Sequence, residues 1–391
     1  MSLFRLAVAH RIFSFFPVYI SLLMVIISCK DKELKSSVNI KESSFKSFIR
    51  HAKGFDIQDH GTFKKLIIKS PYPDAENYQE FILIRDVNND STAEKSEDIL
   101  VVPLKEIIAT STTHIPMIEL LGEETSLIGF PNSRYISSPK TRILIDNGSI
   151  KEIGNEQEFN TEILISLQPE AVVGFSMGKT NRSYDLIEKN GIPVIFNGEW
   201  LEETPLGRAE WIKFFGALFD KDSLANSIFN KIESRYNEVK EMVQHSDTIP
   251  TILTNVLYKD KWSLPAGESF TAQLFKDANT NYIWKETSGQ GSVVLSFETV
   301  YDKAKDADYW IGSGYFTSLQ ELGEANAHYK EFKPYKNNKV YTFSKKRGAS
   351  GGVLYFEFAP IQPHIVLQDI IKVTHPELLP NHELYFLEQL E

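Results

Sequence analysis

One cysteine, Cys29, stands in 391 residues. Neither a disulfide framework nor a cysteine-based metal site can be built from it within one chain. The nine histidines are scattered, with no i, i+4 pair and no H-E-x-x-H, so no resident metal cluster is written in the sequence. No block of like charge runs five residues, and no short tandem repeat is present. A basic field is also lacking: the formal net charge is −10, which argues against nucleic acid as a partner. What is there is bulk. A chain of this length with 42% hydrophobic residues can bury two ordinary cores.

The first residues run from Arg5 and Arg11 through the mostly apolar stretch Ile12 to Ile27 and end at Ser28-Cys29, a secretory leader pattern. That stretch is short against the ~20 residues of a spanning helix. Ile26-Ile27-Ser28-Cys29 resembles the bacterial lipobox, which implies that Cys29 is lipidated and becomes the new N-terminus. It departs from the commonest pattern in having Ile rather than Leu first, and Pro17 interrupts the apolar run. The competing reading is a membrane anchor with an incidental cysteine. Lys30 to Ser47 is polar and reads as a flexible tether, and loss of the leader makes the chain two charges more negative.

From about His51 strand-like and helix-like pieces alternate, the pattern of an α/β fold. Strands are expected at Phe63 to Lys69, Phe81 to Arg85 and Ile99 to Val102, an added β-rich layer. Ile107 to Thr110, the helix His114 to Leu121 and Leu127 to Phe130 form a parallel crossover. Asn160 caps a helix through Leu167, Ala171 to Gly174 is a short buried strand, and the helix Tyr184 to Lys189 precedes a strand at Ile192 to Phe196. From Asp222, read as a cap, Leu224, Ala225, Ile228, Phe229, Ile232, Tyr236, Val239 and Met242 recur every three or four residues, which predicts one amphipathic helix to Val243. At ~1.5 Å per residue it reaches across a small domain. It either bridges two lobes or packs along one. Alternation resumes with a strand at Thr251 to Leu257, a helix at Phe270 to Lys276, strands at Tyr309 to Gly312 and Val340 to Phe343, and a helix from Pro363 to Lys372. Asn160-Thr161-Glu162 and Ser296-Phe297-Glu298 echo one another, each opening a short helix before a strand.

Two stretches invite a catalytic reading. Gly174-Phe175-Ser176-Met177-Gly178 matches the G-x-S-x-G nucleophile elbow between a strand and a helix, which makes a secreted serine hydrolase the alternative function. It needs an acid and a histidine downstream, for example Asp308 and His364. No HGGG-like segment precedes it, and its glycines equally let a loop approach a cleft closely. Gly174 to Thr180 is one residue short of a phosphate-binding loop. The loop Lys345 to Gly352 is basic and glycine-rich, suited to anion capture or to plain solvation.

Ile153-Gly154 and Asn160 to Val173, with Leu167-Gln168-Pro169-Glu170 before an apolar strand, resemble a feature of the helix-linked ABC-importer binding proteins for iron chelates, haem and cobalamin. Gly191-Ile192-Pro193-Val194-Ile195, the long helix, Leu295 to Val300 before Ala307 to Ile311, and His375-Pro376-Glu377 follow in that family's order. The resemblance covers roughly Glu106 to Glu377. Glu170 and Gln168 stand where the family has Asp and Lys, and residues 51–105 and 131–150 are additions. It implies two doubly wound α/β lobes joined by one helix, with the ligand in the cleft between them. No enzymatic activity, resident metal or cofactor is expected. It implies that Glu162 and Glu298, one per lobe, dock on a membrane permease, where exposed carboxylates meet guanidinium groups. As N-terminal helix residues they are also stabilised by the helix dipole alone. It places Trp200 and Trp262 near the cleft, where rings stack on planar ligands, with Arg208 or Arg347 to meet carboxylates. His114 and Ser176 complete the candidate ligand contacts. The expected organisation is a signal peptide at 1–28, a lipidated tether at 29–50, an N-terminal lobe at 51–221, a linking helix at 222–246 and a C-terminal lobe at 247–391. The expected setting is a bacterial membrane, with the anchored protein facing the periplasm and delivering a metal chelate or corrinoid to an ABC permease.

Overall fold

The computed structural model describes residues 47–85, 98–155, 159–179 and 181–391. The leader, Cys29 and nearly all of the tether lie outside the described residues. No helix among the described residues is long and apolar enough to cross a membrane.

Ile107–Ala109 is wholly buried, as a strand covered on both faces must be. It is the centre of a five-stranded parallel sheet. Leu127–Phe130 and Lys151–Glu152 lie to one side, Ala171–Gly174 and Val194–Phe196 to the other. Strand order reverses beside the central strand, so the sheet is doubly wound, with a switch point between Ile107–Ala109 and Ala171–Gly174. The second half repeats the plan. Thr251–Leu253 pairs with Asn281–Tyr282 on one side and with Tyr309–Ile311 on the other, followed by Val340–Thr342 and the antiparallel edge Glu388–Gln389. The two short helices that echo in sequence hold the same place in each half, before the strand that pairs in parallel with Ile107–Ala109 or with Thr251–Leu253. Asn160 Oδ1 accepts from the Ile163 amide at 3.1 Å, and Ser296 Oγ from the Thr299 amide at 3.3 Å.

The expected strand Thr251 to Leu257 ends early, at Leu253. Asn255 sits at φ +58°, which no strand tolerates, and the chain turns into a three-stranded antiparallel sheet of Leu257–Tyr258, Lys261–Pro265 and Ser292–Leu295. The addition at 51–105 contributes a four-stranded sheet that includes a strand not expected, Phe55–Asp59. Its entry is held by two buried carboxylates. Glu210 accepts from the amides of Arg50, His51 and Ala52, and Glu202 from those of Lys53 and Gly54. Burial pushes Glu210 up, but the Lys213 ammonium at 2.6 Å and these amides outweigh it and hold its pKa below the usual carboxylate range.

Asp222–Val243 is one helix of 22 residues. Its buried stripe is Ala225, Phe229, Ile232, Tyr236, Val239 and Val243, whereas Leu224 and Met242 are exposed. Asp222 is not its cap: Lys221 holds that position, and the Asp222 carboxylate pairs with Lys64 at the positive end of the helix. The helix belongs to both lobes. Its first half packs on Ile212–Leu218, where a Cβ on Gly216 would stand 2.5 Å from Ala225 Cβ. Its second half packs on Pro363–Thr374 and is tied to the C-terminal lobe by Tyr236 Oη donating to Asp277 at 2.7 Å and Lys240 pairing with Asp277 at 2.9 Å. The bridging alternative is therefore the one realised. Gly216→Val should lower the denaturation midpoint by the equivalent of about 1–3 kcal/mol, and Ala225→Gly in the same chain should recover part of the loss. An unchanged midpoint in urea titration would show that the two helices are not in register here.

Candidate functional site

The candidate site lies at the loops that leave the C-terminal ends of the two central sheets. In the N-terminal lobe, Thr110 Oγ1 accepts from the Phe175 amide at 2.9 Å, and Tyr184 Oη donates to the Phe175 carbonyl at 3.0 Å. These bonds fix the loop after Gly174 at the switch point, the position at which open α/β sheets bind ligands. Beside it, Trp200 lies 5.4 Å from the Phe175 ring. Arg208 Nη2 donates to the Trp200 carbonyl at 2.6 Å, and its guanidinium lies over Phe270 of the C-terminal lobe at 3.7 Å from the ring centroid. Arg208 thus spans the junction of the lobes.

Behind that junction is a polar group sequence reasoning did not find. Glu199 is 3% exposed, and burial pushes its carboxyl up, with Arg208 and a hydrogen bond from Thr113 opposing. Glu199 Oε2, Trp200 Nε1 and Arg208 Nε have no partner among the described residues. Three orphaned polar atoms in ten residues of chain are costly unless something occupies them. His114 does not belong to this group. It is fully buried against Phe215 at 5.5 Å, and burial alone pushes its pKa down to about 3. Its Nδ1 has no partner among the described residues.

On the C-terminal side, the second switch point opens into an apolar compartment of about 690 Å³. Its walls are chiefly Leu257, Tyr258, Phe270, Tyr315, Phe343 and Tyr355. Tyr355 is pushed up to about 12 by burial, with Arg208 opposing, so its phenol stays protonated. Trp262 is not a wall but the footing. It is 0% exposed, and its Nε1 donates to the Thr254 carbonyl at 3.1 Å while Trp310 Nε1 donates to the Asn255 carbonyl at 2.8 Å. Together with Tyr329 Oη, which accepts from the Leu257 amide at 2.9 Å, they hold the compartment's first loop from beneath. Gly314 lies at φ +74°, and a Cβ there would come within 2.9 Å of Val256, so the opposing loop can pass only as glycine.

The glycine-rich loop at 345–352 is neither an anion trap nor a solvated flap. It straps the C-terminal lobe to the segment Tyr135–Ser138 of the N-terminal lobe. A Cβ on Gly352 would lie 2.1 Å from the Tyr135 carbonyl oxygen, and one on Gly348 2.7 Å from Ser137. Ser350 Oγ donates to the Ile136 carbonyl at 3.0 Å. Buried Glu357 accepts from the amides of Ser137 at 2.5 Å and Ser138 at 3.0 Å. Arg347 is exposed on this strap and donates back to the Gly351 carbonyl at 3.0 Å. The addition at 131–150 is thereby the N-terminal lobe's half of an interlobe contact.

The model of a family described as periplasmic binding protein matches residues 107–346, more than half of the chain. The chain belongs to that family. An uncharacterized lipoprotein of Methanocaldococcus jannaschii is 26% identical over 298 residues, covering 74% of this chain and 69% of the relative. Among solved structures, a periplasmic haem-binding protein from Pseudomonas aeruginosa aligns with a TM-score of 0.55 at 13% identity, over 74% of this chain and 98% of the other. The Fe3+-Desferal-bound siderophore-binding protein of Vibrio cholerae gives 0.52 at 16% identity, over 69% and 99%. At such identities these neighbours share the fold.

This periplasmic binding protein holds solutes and does not transform them; it is not an enzyme. The elbow of Ser176 is a turn. Ser176 Oγ donates to the Gly178 carbonyl at 2.6 Å, which closes the hydroxyl on its own loop. Asp308 is bound to Thr251 and to Lys333 at the opposite end of its strand, so it is not a triad partner of Ser176. Glu162 and Glu298 are exposed, and neither makes an ion pair among the described residues. The amide of Glu298 itself and the Ser296 hydroxyl hold the Glu298 carboxylate below its ordinary pKa.

Burial pushes Glu357 up to about 7, with Glu119 reinforcing and the two serine amides opposing. A raised carboxyl pKa means that the folded binding protein holds the proton where the unfolded chain has released it, so stability is lost as pH rises from about 4.5 through 7. Relative to Glu357→Gln, the wild type should therefore be less stable at pH 8 than at pH 5, and parallel pH profiles in chemical denaturation would remove this assignment.

Proposed function

We propose that this protein is an exported, lipid-anchored carrier that delivers a metal chelate, haem or a corrinoid to an ABC permease. The observation that carries the reading is the pair of switch points, one ringed by orphaned polar atoms at Glu199, Trp200 and Arg208 and the other opening into the apolar compartment. A solute seated there meets ring faces on one side and hydrogen-bonding groups on the other, the composition of a specific small-molecule site. Structural neighbours named for haem and for a ferric siderophore complex support the ligand class. The motif at Ile26 to Cys29 and a relative named a lipoprotein support the anchor at Cys29.

In this reading the lobes are 51–221 and 247–391, about the link 222–246. Trp200 and Arg208 touch the ligand, Trp262 positions the loop that does, and Ser176 and Arg347 contribute through their loops. Glu162 and Glu298 set the carrier on the permease, because equivalent helices present one free carboxylate from each lobe and two fixed points define a register. Saturable quenching of tryptophan emission by a ferric chelate or a corrinoid should be weakened by Arg208→Ala by about tenfold or more. Quenching that neither saturates nor responds to the substitution would reject the cleft as the site. Glu162→Ala and Glu298→Ala should leave that titration unchanged and lower cellular uptake of the same ligand; undiminished uptake in the double variant would dismiss the docking role.

A further inference from the structure

The C-terminal compartment carries information on the charge of its occupant. Glu321 is the only formally charged side chain that lines it, and no Lys, Arg or His is among the described lining residues. The Thr317 amide and hydroxyl donate to Glu321 at 2.8 Å and 2.9 Å, which fixes the carboxylate in place. Polar groups of the wall are already paired inside the lobe: Asn255 Nδ2 donates to the Ser263 carbonyl at 2.7 Å, and Ser344 Oγ to the Gly314 carbonyl at 2.7 Å.

What the wall offers a ligand is therefore ring surface. Phe343 and Tyr355 stack at 4.1 Å, Phe356 follows at 5.7 Å from Tyr355, and Tyr315 stands 6.1 Å from Phe356. Tyr258 is 75% exposed, Tyr315 64% and Phe356 48%. Large rings left open at one mouth mark an interaction site rather than scatter. Aromatic faces are the negative side of the ring quadrupole, so they attract cations, accept neutral apolar groups and repel anions. The net charge of −10 adds a long-range field of the same sign. Arg208 is a cation at the junction, but it does not line the compartment: its guanidinium lies over the outer ring Phe270 and donates to the Trp200 carbonyl. Its Nε, buried and without a partner among the described residues, suits an acceptor atom such as a carbonyl or hydroxamate oxygen.

We infer that the compartment selects metal chelates of zero or positive net charge and rejects polyanionic ones. This rests on the reading of the protein as a chelate carrier, and within it favours neutral or cationic hydroxamate-type complexes over catecholates and over haem with its two propionates.

The test is calorimetric titration of the purified protein with four probes: cationic ferrioxamine B, a neutral ferric trihydroxamate, a trianionic ferric tris-catecholate and haem. The first two should bind at least about tenfold more tightly than the last two at low salt, and the gap should narrow at high salt as screening sets in. Glu321→Gln should weaken ferrioxamine B while sparing the neutral complex, and Tyr258→Ala with Tyr315→Ala should weaken both. A catecholate or haem that binds as tightly as the hydroxamates overturns the charge selection and leaves the carrier reading standing. Failure of all four probes on folded protein overturns this inference, and failure of a corrinoid as well overturns the carrier reading.

Discussion

The structure depends on one shared hydrophobic stripe. Ala225 and Phe229 complete the core of the first lobe, and Tyr236, Val239 and Val243 complete that of the second, all on a single helix. An α-helix holds its length at 1.5 Å per residue, so the spacing of the lobes is set by covalent geometry. The stripe is buried towards both ends, at Ala225 and at Val243. Neither lobe can rotate freely about the helix without stripping apolar surface from it, at roughly 25 cal/mol per Å². The shared stripe ties both lobes to one helix for this reason.

The helix would not suffice alone, because a single strut constrains distance better than twist. The strap 345–352 and Glu357 supply a second connection on the other side of the fold. Close backbone approach at Gly348 and Gly352 makes that contact intolerant of side chains. Capture of two serine amides by one carboxylate makes it directional. Two connections remote from each other in sequence leave little freedom for hinge motion, and recognition must then lie in the chemistry of the walls.

Much of the fold was legible because its signals are local. Eight apolar positions from Leu224 to Met242 at spacings of three and four predicted the helix 222–243, and all-apolar tetrads such as Ala171–Gly174 read as buried strands. The echo of Asn160-Thr161-Glu162 in Ser296-Phe297-Glu298 reflected equivalent places in two sheets. The site was far less legible. Trp262 reads as a loop aromatic, and only the tertiary fold shows that it lies under the loop. Basic, glycine-rich 345–352 has the composition of a solvated flap; what makes it a strap is the backbone of Tyr135 and Ser137, more than two hundred residues away. Glu199, Glu202, Glu210 and Glu357 look like surface residues in sequence, since nothing local announces that amides or a guanidinium wait to receive them. The expectation for Asp222 failed by one residue, since the helix takes it as its first residue with Lys221 at the cap, and its carboxylate pairs with Lys64 instead.

Glu202 and Glu210 give the N-terminal lobe a mechanical property. Five consecutive amides, Arg50 to Gly54, end on two carboxylates rooted in buried helix and loop, with Lys213 bracing one of them. Tension applied along the chain from residue 47 is stopped by these charge-assisted bonds before it reaches Phe55–Asp59. Five bonds on two carboxylates must break before the load passes to the outermost strand. A protein moored at that end can be tugged by its mooring without its sheet being peeled.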